Sequence, residues 1–162
     1  MKPFAAYSRR YERKRRLLTA GWRAFDLKKR HGGANAIKPG AILLFATLRN
    51  EAPRIPFFLD YYRNLGVDHF LIVDNSSDDG SREYLADQPD VSLWTSDHSY
   101  KRARFGVDWL NYLLLRHAHG HWTLTVDVDE FFVYPFCDSR PLPALTDWLD
   151  ASSIRSFSAM LL

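Results

Sequence analysis

The 162-residue chain is 46% hydrophobic and 15% aromatic, enough for one sizeable core. It has no apolar run long enough to span a bilayer and no apolar stretch behind its basic start of the kind a secretory signal needs. Its single cysteine, Cys137, cannot form an internal disulfide or a cysteine-cluster zinc site, so a reducing, cytoplasmic setting is expected.

The net charge of +3 hides a division: residues 1–40 carry 12 Lys and Arg against Glu12 and Asp26, a balance of +10, while the other 122 residues total −7. A basic N-terminal arm, residues 1–36, therefore precedes an acidic body, residues 37–162. The arm reads SRRYERKRRLLTAGWRAFDLKKRHGG, with Leu17, Leu18, Trp22 and Phe25 at roughly helical spacing and Gly32-Gly33 as a stop. The expectation is a solvated helix that packs its few apolar residues on the body. Attachment to anionic lipid headgroups or to nucleic acid would also use such an arm, with the peripheral membrane contact favoured of the two.

In the body, AILLFAT (41–47) is a short, continuous apolar run, as a strand buried on both faces requires. Pro53 can open a helix carrying Ile55, Phe58, Leu59, Tyr62 and Leu65 as far as Gly66. HFLIVDN (69–75) predicts a second strand, SSDDGSREYL a turn into a helix, and VSLWT (91–95) a third strand. A helix over 103–118, a strand HWTLTVD (121–127) and a helix LPALTDWLDAS (142–152) follow. Strands alternating with helices predict an α/β fold, a mainly parallel sheet covered by helices on both faces. Ligands of such sheets bind outside the carboxyl ends of the strands, which here are TLRNE, DNSSDDG, TSDHSYKR and DVDEFF.

The most specific of these is VDVDEFF. On an extended segment Asp127 and Asp129 point to one side and Val128 to the other. Two carboxylates at a strand mouth repel each other unless a cation lies between them. Mn²⁺ or Mg²⁺ takes one or two carboxylates and completes its shell with substrate phosphates, which suits a nucleoside diphosphate leaving group. At DNSSDDG, Asp74 stands where an acid holds a ribose hydroxyl in dinucleotide-binding folds, while Asp78 and Asp79 suit helix capping. No G-x-G-x-x-G or P-loop occurs, and a calcium loop fails because Gly80 comes one position late and position twelve is Leu85. Thr47, Arg49, Asn50 and Glu51 supply four kinds of polar group at the first strand end, and of the cations Lys101, Arg102 and Arg104 at least one is expected to reach a diphosphate, the others being solvated. His117, His119 and His121 alternate, but Gly120 interrupts them, so they are expected to form a structural turn. Cys137 has no base at recognisable spacing.

Taken together, LRNEAPRIPFFLDYYRNLGVDHFLIVDNSSDDGS and HWTLTVDVDEFF resemble a bacterial branch of family 2 glycosyltransferases, over roughly residues 37–162. The resemblance implies a Rossmann-like GT-A domain that binds a nucleotide-sugar, with UDP-sugar the usual donor and a glycan or other hydroxyl-bearing molecule the acceptor. It further implies that Thr47 to Asn50 line the base and ribose pocket and that Asp74 binds the nucleobase. Asp127 and Asp129 then form the D-x-D pair, Asp129 being the direct ligand of Mn²⁺ or Mg²⁺, and Lys101 or Arg104 lies near the diphosphate. Such enzymes continue into an acceptor half that carries the general base, for which this chain offers only Glu130. The apolar run SFSAMLL closes the chain, so a truncated donor half is expected, acting either within a metal-assisted, inverting transferase or as a binding module that transfers nothing.

Overall fold

The computed structural model describes residues 11–12, 14–15, 18–32 and 37–156. Leu17 of the arm and residues 157–162, on which the expectation of truncation rests, lie outside the described residues. Five strands form one sheet: β1 (Lys28–His31), β2 (Leu43–Leu48), β3 (His69–Asp74), β4 (Val91–Thr95) and β5 (Thr123–Thr125). Their order is β1-β4-β3-β2-β5, parallel throughout except for β1, which runs antiparallel to β4. Beyond the arm, the α-helices among the described residues are α1 (Ile55–Leu65), α2 (Ser81–Ala86), α3 (Val107–His117) and α4 (Leu142–Ala151). The chain is thus an α/β protein with a mostly parallel sheet, compatible with a Rossmann-like arrangement. No helix among the described residues is long and apolar enough to cross a membrane.

Both faces of the sheet are covered, which explains why its central strands read as unbroken apolar runs. Along β2 the side chains alternate: Leu44, Ala46 and Leu48 join Ile55, Phe58, Leu59 and Tyr62 of α1, whereas Leu43 and Phe45 join Trp109, Leu110 and Leu113 of α3. The α1 stripe follows helical spacing, has Pro56 in its first turn and ends at Gly66, whose φ of +106° turns the next amide, Val67 N–H, back onto the Tyr62 carbonyl at 2.9 Å. A Cβ on Gly66 would lie 2.7 Å from Pro143 Cδ, so the same glycine also admits α4 against the end of α1.

Two elements depart from the pattern in the sequence. The arm does not stay helical as far as Gly32-Gly33. Its helical residues end at 23, a 3-10 turn follows at Ala24–Asp26, and residues 28–31 become the edge strand β1. Lys-Lys-Arg-His has little strand preference of its own; the open edge of β4 supplies the backbone partners that override it. Nor do Leu18, Trp22 and Phe25 pack on the body: all three are exposed, and Ala20 and Asp26 are buried instead, with Leu27 partly buried against the core. The second departure is β5, which is three residues long rather than seven. Its last ladder pair is Thr125 with Phe45, and Val126 adds one bond to the Phe45 carbonyl before the chain leaves β2.

That departure shapes the ligand region. Chain order runs from β2 outward to β3 and β4, then returns past β2 to β5, so the direction of winding reverses between β2 and β5. At such a switch point the connections on either side lead away from each other and leave a crevice at the strand ends.

Candidate functional site

A cleft of about 320 Å³ opens at that switch point. One wall is the end of β2 and its continuation, Thr47, Leu48, Arg49 and Glu51; the other is Asp127, Val128 and Asp129; Asn75 and Tyr100 close it. Residues 127–130 form a turn closed by the Glu130 N–H on the Asp127 carbonyl at 3.1 Å, not the extended strand that the alternation implies. The outcome for orientation is similar for a different reason: Val128 is buried in the core below, and Asp127 and Asp129 are exposed along the cleft.

Among the described residues neither of these carboxylates accepts a hydrogen bond or forms an ion pair. Arg54, whose charge feels Asp129 at longer range, is itself bonded to Glu51. Burial holds the Asp127 carboxyl above the usual carboxylate range, and the charges of Glu130 and Asp129 push it the same way. This is unrelieved negative charge at the mouth of a cleft. No group of three or more His, Cys, Asp or Glu side chains placed for a metal occurs among the described residues. Two carboxylates are nevertheless the set a hard divalent ion takes when phosphate oxygens and water supply the rest of its shell. Asp127 and Asp129 could hold such an ion.

Glu130 does not stand ready as a base. Its carboxylate turns back to accept the Asp127 N–H at 3.4 Å, and its carbonyl accepts the Tyr62 hydroxyl at 3.1 Å. Tyr62 also accepts the Phe132 N–H at 3.0 Å, and Tyr61 donates to the Phe132 carbonyl at 2.9 Å. Two adjacent tyrosines of α1 thus tether the segment that follows the two aspartates. Burial pushes the Tyr62 hydroxyl up to about 12, so it remains a neutral donor near pH 7.

The loop after β3 is organised differently, around Asp74. Its side chain is fully enclosed and accepts two N–H groups of Arg82, at 3.1 and 2.9 Å, together with the Ser77 amide. With its oxygens taken, Asp74 shapes the turn and does not face the cleft. Its neighbour Asn75 does, held by Nδ2–H bonds to the Ser96 and His98 carbonyls. Asn50, at φ +57°, accepts the Asp78 N–H through Oδ1 and donates its own N–H to Ser77 Oγ. Asp79 accepts from the Ala52 N–H, the Ser81 N–H and Ser81 Oγ. Asn50 and Asp79 therefore join the ends of β2 and β3, and Asn50 is a brace beside the cleft.

Arg104, expected near a diphosphate, is engaged within its own turn in this structure. Its guanidinium is bonded to Asp108, which is buried in the first turn of α3. Arg104, Phe105 and Gly106 all have positive φ, and a Cβ on Gly106 would lie 2.7 Å from Thr47 Oγ1. The turn before α3 thus presses onto the end of β2, and the residue it contributes to the cleft is Tyr100. Lys101 and Arg102 are exposed on the same turn, and Arg49 is the cation that lines the cleft. Neither Tyr100 nor Asn75 was singled out from sequence; each follows directly on a strand-end polar group, which is the cue that pointed there.

The alternating histidines have separate tasks. His121 Nδ1 lies 2.9 Å from the Ala41 carbonyl, and the His117 ring lies against Trp94. Cys137 is a partly buried free thiol.

With this geometry in view, the chain is 30% identical over 105 residues to a glycosyltransferase family 92 protein of Arabidopsis thaliana, covering 60% of this chain and 17% of the relative. It is similar to two further proteins of that description. One, from Ricinus communis, is 28% identical over 64% of this chain and 19% of the relative; the other, from Oryza sativa subsp. japonica, is 29% identical over 60% and 17%. By name, these relatives are glycosyltransferases. They are named as family 92, where the motifs resemble family 2, so the likeness supports the class and supports neither family 2 nor a bacterial branch. The chain spans less than a fifth of the length of these relatives. No protein-family model matches the chain, and no solved structure does.

Proposed function

We propose that this chain is the nucleotide-sugar-binding part of a glycosyltransferase with a GT-A-type fold. The observation that carries the proposal is the pair of carboxylates, Asp127 and Asp129, without hydrogen-bond partners among the described residues and facing the end of β2 across the switch-point cleft. Similarity to named glycosyltransferases supports the class of reaction. The donor is a nucleoside diphosphate sugar, with uridine the base that the motif resemblance favours.

In this reading Asp127 and Asp129 hold Mn²⁺ or Mg²⁺. When bound, the ion would supply positive charge for the diphosphate that leaves as the donor sugar's anomeric C–O bond to it breaks and the bond to the acceptor oxygen forms. Arg49 stands in the cleft wall as a further cation for that diphosphate, a role the resemblance gives to Lys101 or Arg104. Tyr100 offers a ring face and Asn75 and Thr47 polar groups for the nucleoside. Tyr61 and Tyr62 hold the carboxylate turn against α1, so the two aspartates are positioned before ligand arrives. Transfer by single displacement, with inversion, additionally requires a base for the acceptor hydroxyl, and Glu130 is committed to the turn.

Calorimetric titration of UDP, with Mn²⁺ and with chelator, tests the proposal. Binding is expected to need the cation and to weaken in Asp129→Ala by at least the ~10–100-fold typical of perturbing a metal's surroundings. Equal UDP affinity with chelator and in a folded Asp129→Ala variant would overturn it.

A further inference from the structure

The basic arm is not merely solvated. Its inner side is fastened to the body: Ala20 is fully buried, and Asp26 accepts the Trp109 indole N–H at 3.3 Å and an Arg23 N–H at 3.1 Å. Arg23 also donates to the Arg102 carbonyl at 3.2 Å, which sets the helix end beside the turn before α3. Fastened on that side, the arm turns its other side outward. Leu18 and Trp22 are one helical turn apart and Phe25 follows three residues on; they are 66%, 76% and 83% exposed. Tyr11, Lys14 and Arg15 lie on the same helical face and are also exposed.

An outward stripe of leucine, tryptophan and phenylalanine bordered by cations needs a partner with apolar depth and negative charge. Nucleic acid meets the charge but gives Leu18 and Phe25 nothing to enter. A second copy of the chain meets the apolar stripe but brings the same +10 balance over residues 1–40 against it. An anionic bilayer meets both, through phosphate headgroups for the cations and the headgroup–acyl boundary for the apolar side chains. We propose that the face bearing Leu18, Trp22 and Phe25 is a docking surface for an anionic lipid bilayer. The inference is independent of what the cleft binds. The turn contacted by Arg23 also carries Lys101 and Phe105, both exposed, and its Tyr100 lines the cleft, so docking brings the cleft close to the lipid surface.

Co-sedimentation of the full 162-residue chain with phosphatidylcholine vesicles, with and without phosphatidylserine, tests this. Binding is expected to require phosphatidylserine and to fall as salt rises. Trp22→Ser with Phe25→Ser is expected to lower the partition coefficient by about tenfold or more. Lys14→Glu with Arg15→Glu is expected to weaken binding and flatten its salt dependence. All four side chains are exposed, and an unchanged thermal transition checks that the fold survives. Three outcomes would overturn the proposal: no binding to anionic vesicles, binding unaffected by the Trp22 and Phe25 changes, or self-association lost in that variant while vesicle binding persists.

Discussion

Two acid-bearing loops leave the sheet at the same end, after β3 and after β5, and they handle their carboxylates in opposite ways. After β3, Asp74 is enclosed by Arg82 and the Ser77 amide, and Asp79 takes three hydrogen bonds from Ala52 and Ser81. Burial alone would raise the Asp79 carboxyl, yet the bonds from Ser81 Oγ and the Ala52 and Ser81 amides together hold it below the usual range. After β5, Asp127 is held above that range by burial and by Glu130 and Asp129, with no bond to its carboxylate among the described residues to offset them. An acid whose oxygens the protein satisfies belongs to the architecture. An acid left in the company of other acids beside a cleft is set for a ligand that brings positive charge.

The largest test of this contrast is Asp74→Ala. It strips a fully buried acceptor from Arg82 and Ser77, and because Arg82 is about a third exposed the expected loss is near the lower end for a broken buried pair, about 3 kcal/mol. Chemical denaturation measures it. A variant as stable as wild type but unable to bind UDP would reverse the contrast and return Asp74 to the ligand.

Tyr62→Phe comes next, since it removes the hydroxyl that receives the Phe132 N–H and donates to the Glu130 carbonyl. A loss of about 1–3 kcal/mol in stability is expected, because both backbone groups lose a partly buried partner. If the tyrosine also positions the two aspartates, cation-dependent UDP binding weakens in the folded variant; unchanged binding would confine Tyr62 to structure.

The smallest effect on stability, and the sharpest on meaning, belongs to Asp127→Asn. It removes a charge that its surroundings oppose, so stability at neutral pH is expected to change by no more than about 0.5 kcal/mol, in the direction of a gain. The sign follows from linkage. A carboxyl raised on folding costs stability above its folded pKa, and the cost disappears as acidification carries the pH below the unfolded value. The gain should therefore be present at neutral pH and vanish in acid, which thermal melts of both proteins across that range will show. Asp79 runs the other way: its contribution is present above the ordinary carboxylate pKa and is lost as pH falls through its depressed value.

Much of this architecture was written in local pattern. β3, β4, α1 and α4 lie close to where apolar runs, prolines and glycines put them, because a strand buried on both faces or a helix with one apolar stripe needs little beyond its own residues to be recognised. The four strand ends were equally legible, as polar residues closing apolar runs, and so was the acidic cluster at Asp127 to Glu130, though the alternation implies an extended segment where the structure has a turn. What the sequence could not determine alone was which polar groups are consumed. Asp74 meets Arg82 eight residues on, Asn50 meets Asp78 across 28, and Asp26 meets Trp109 across 83; each contact exists only once the sheet has brought separate segments together. The same holds for β1, a lysine-rich segment made into a strand by the open edge of β4, and for the cleft itself, which exists because β5 stops at Thr125 and leaves the end of β2 uncovered. Side-chain pattern along a segment reports which face is apolar. Only the assembled sheet decides which charges are paired and which remain for a ligand.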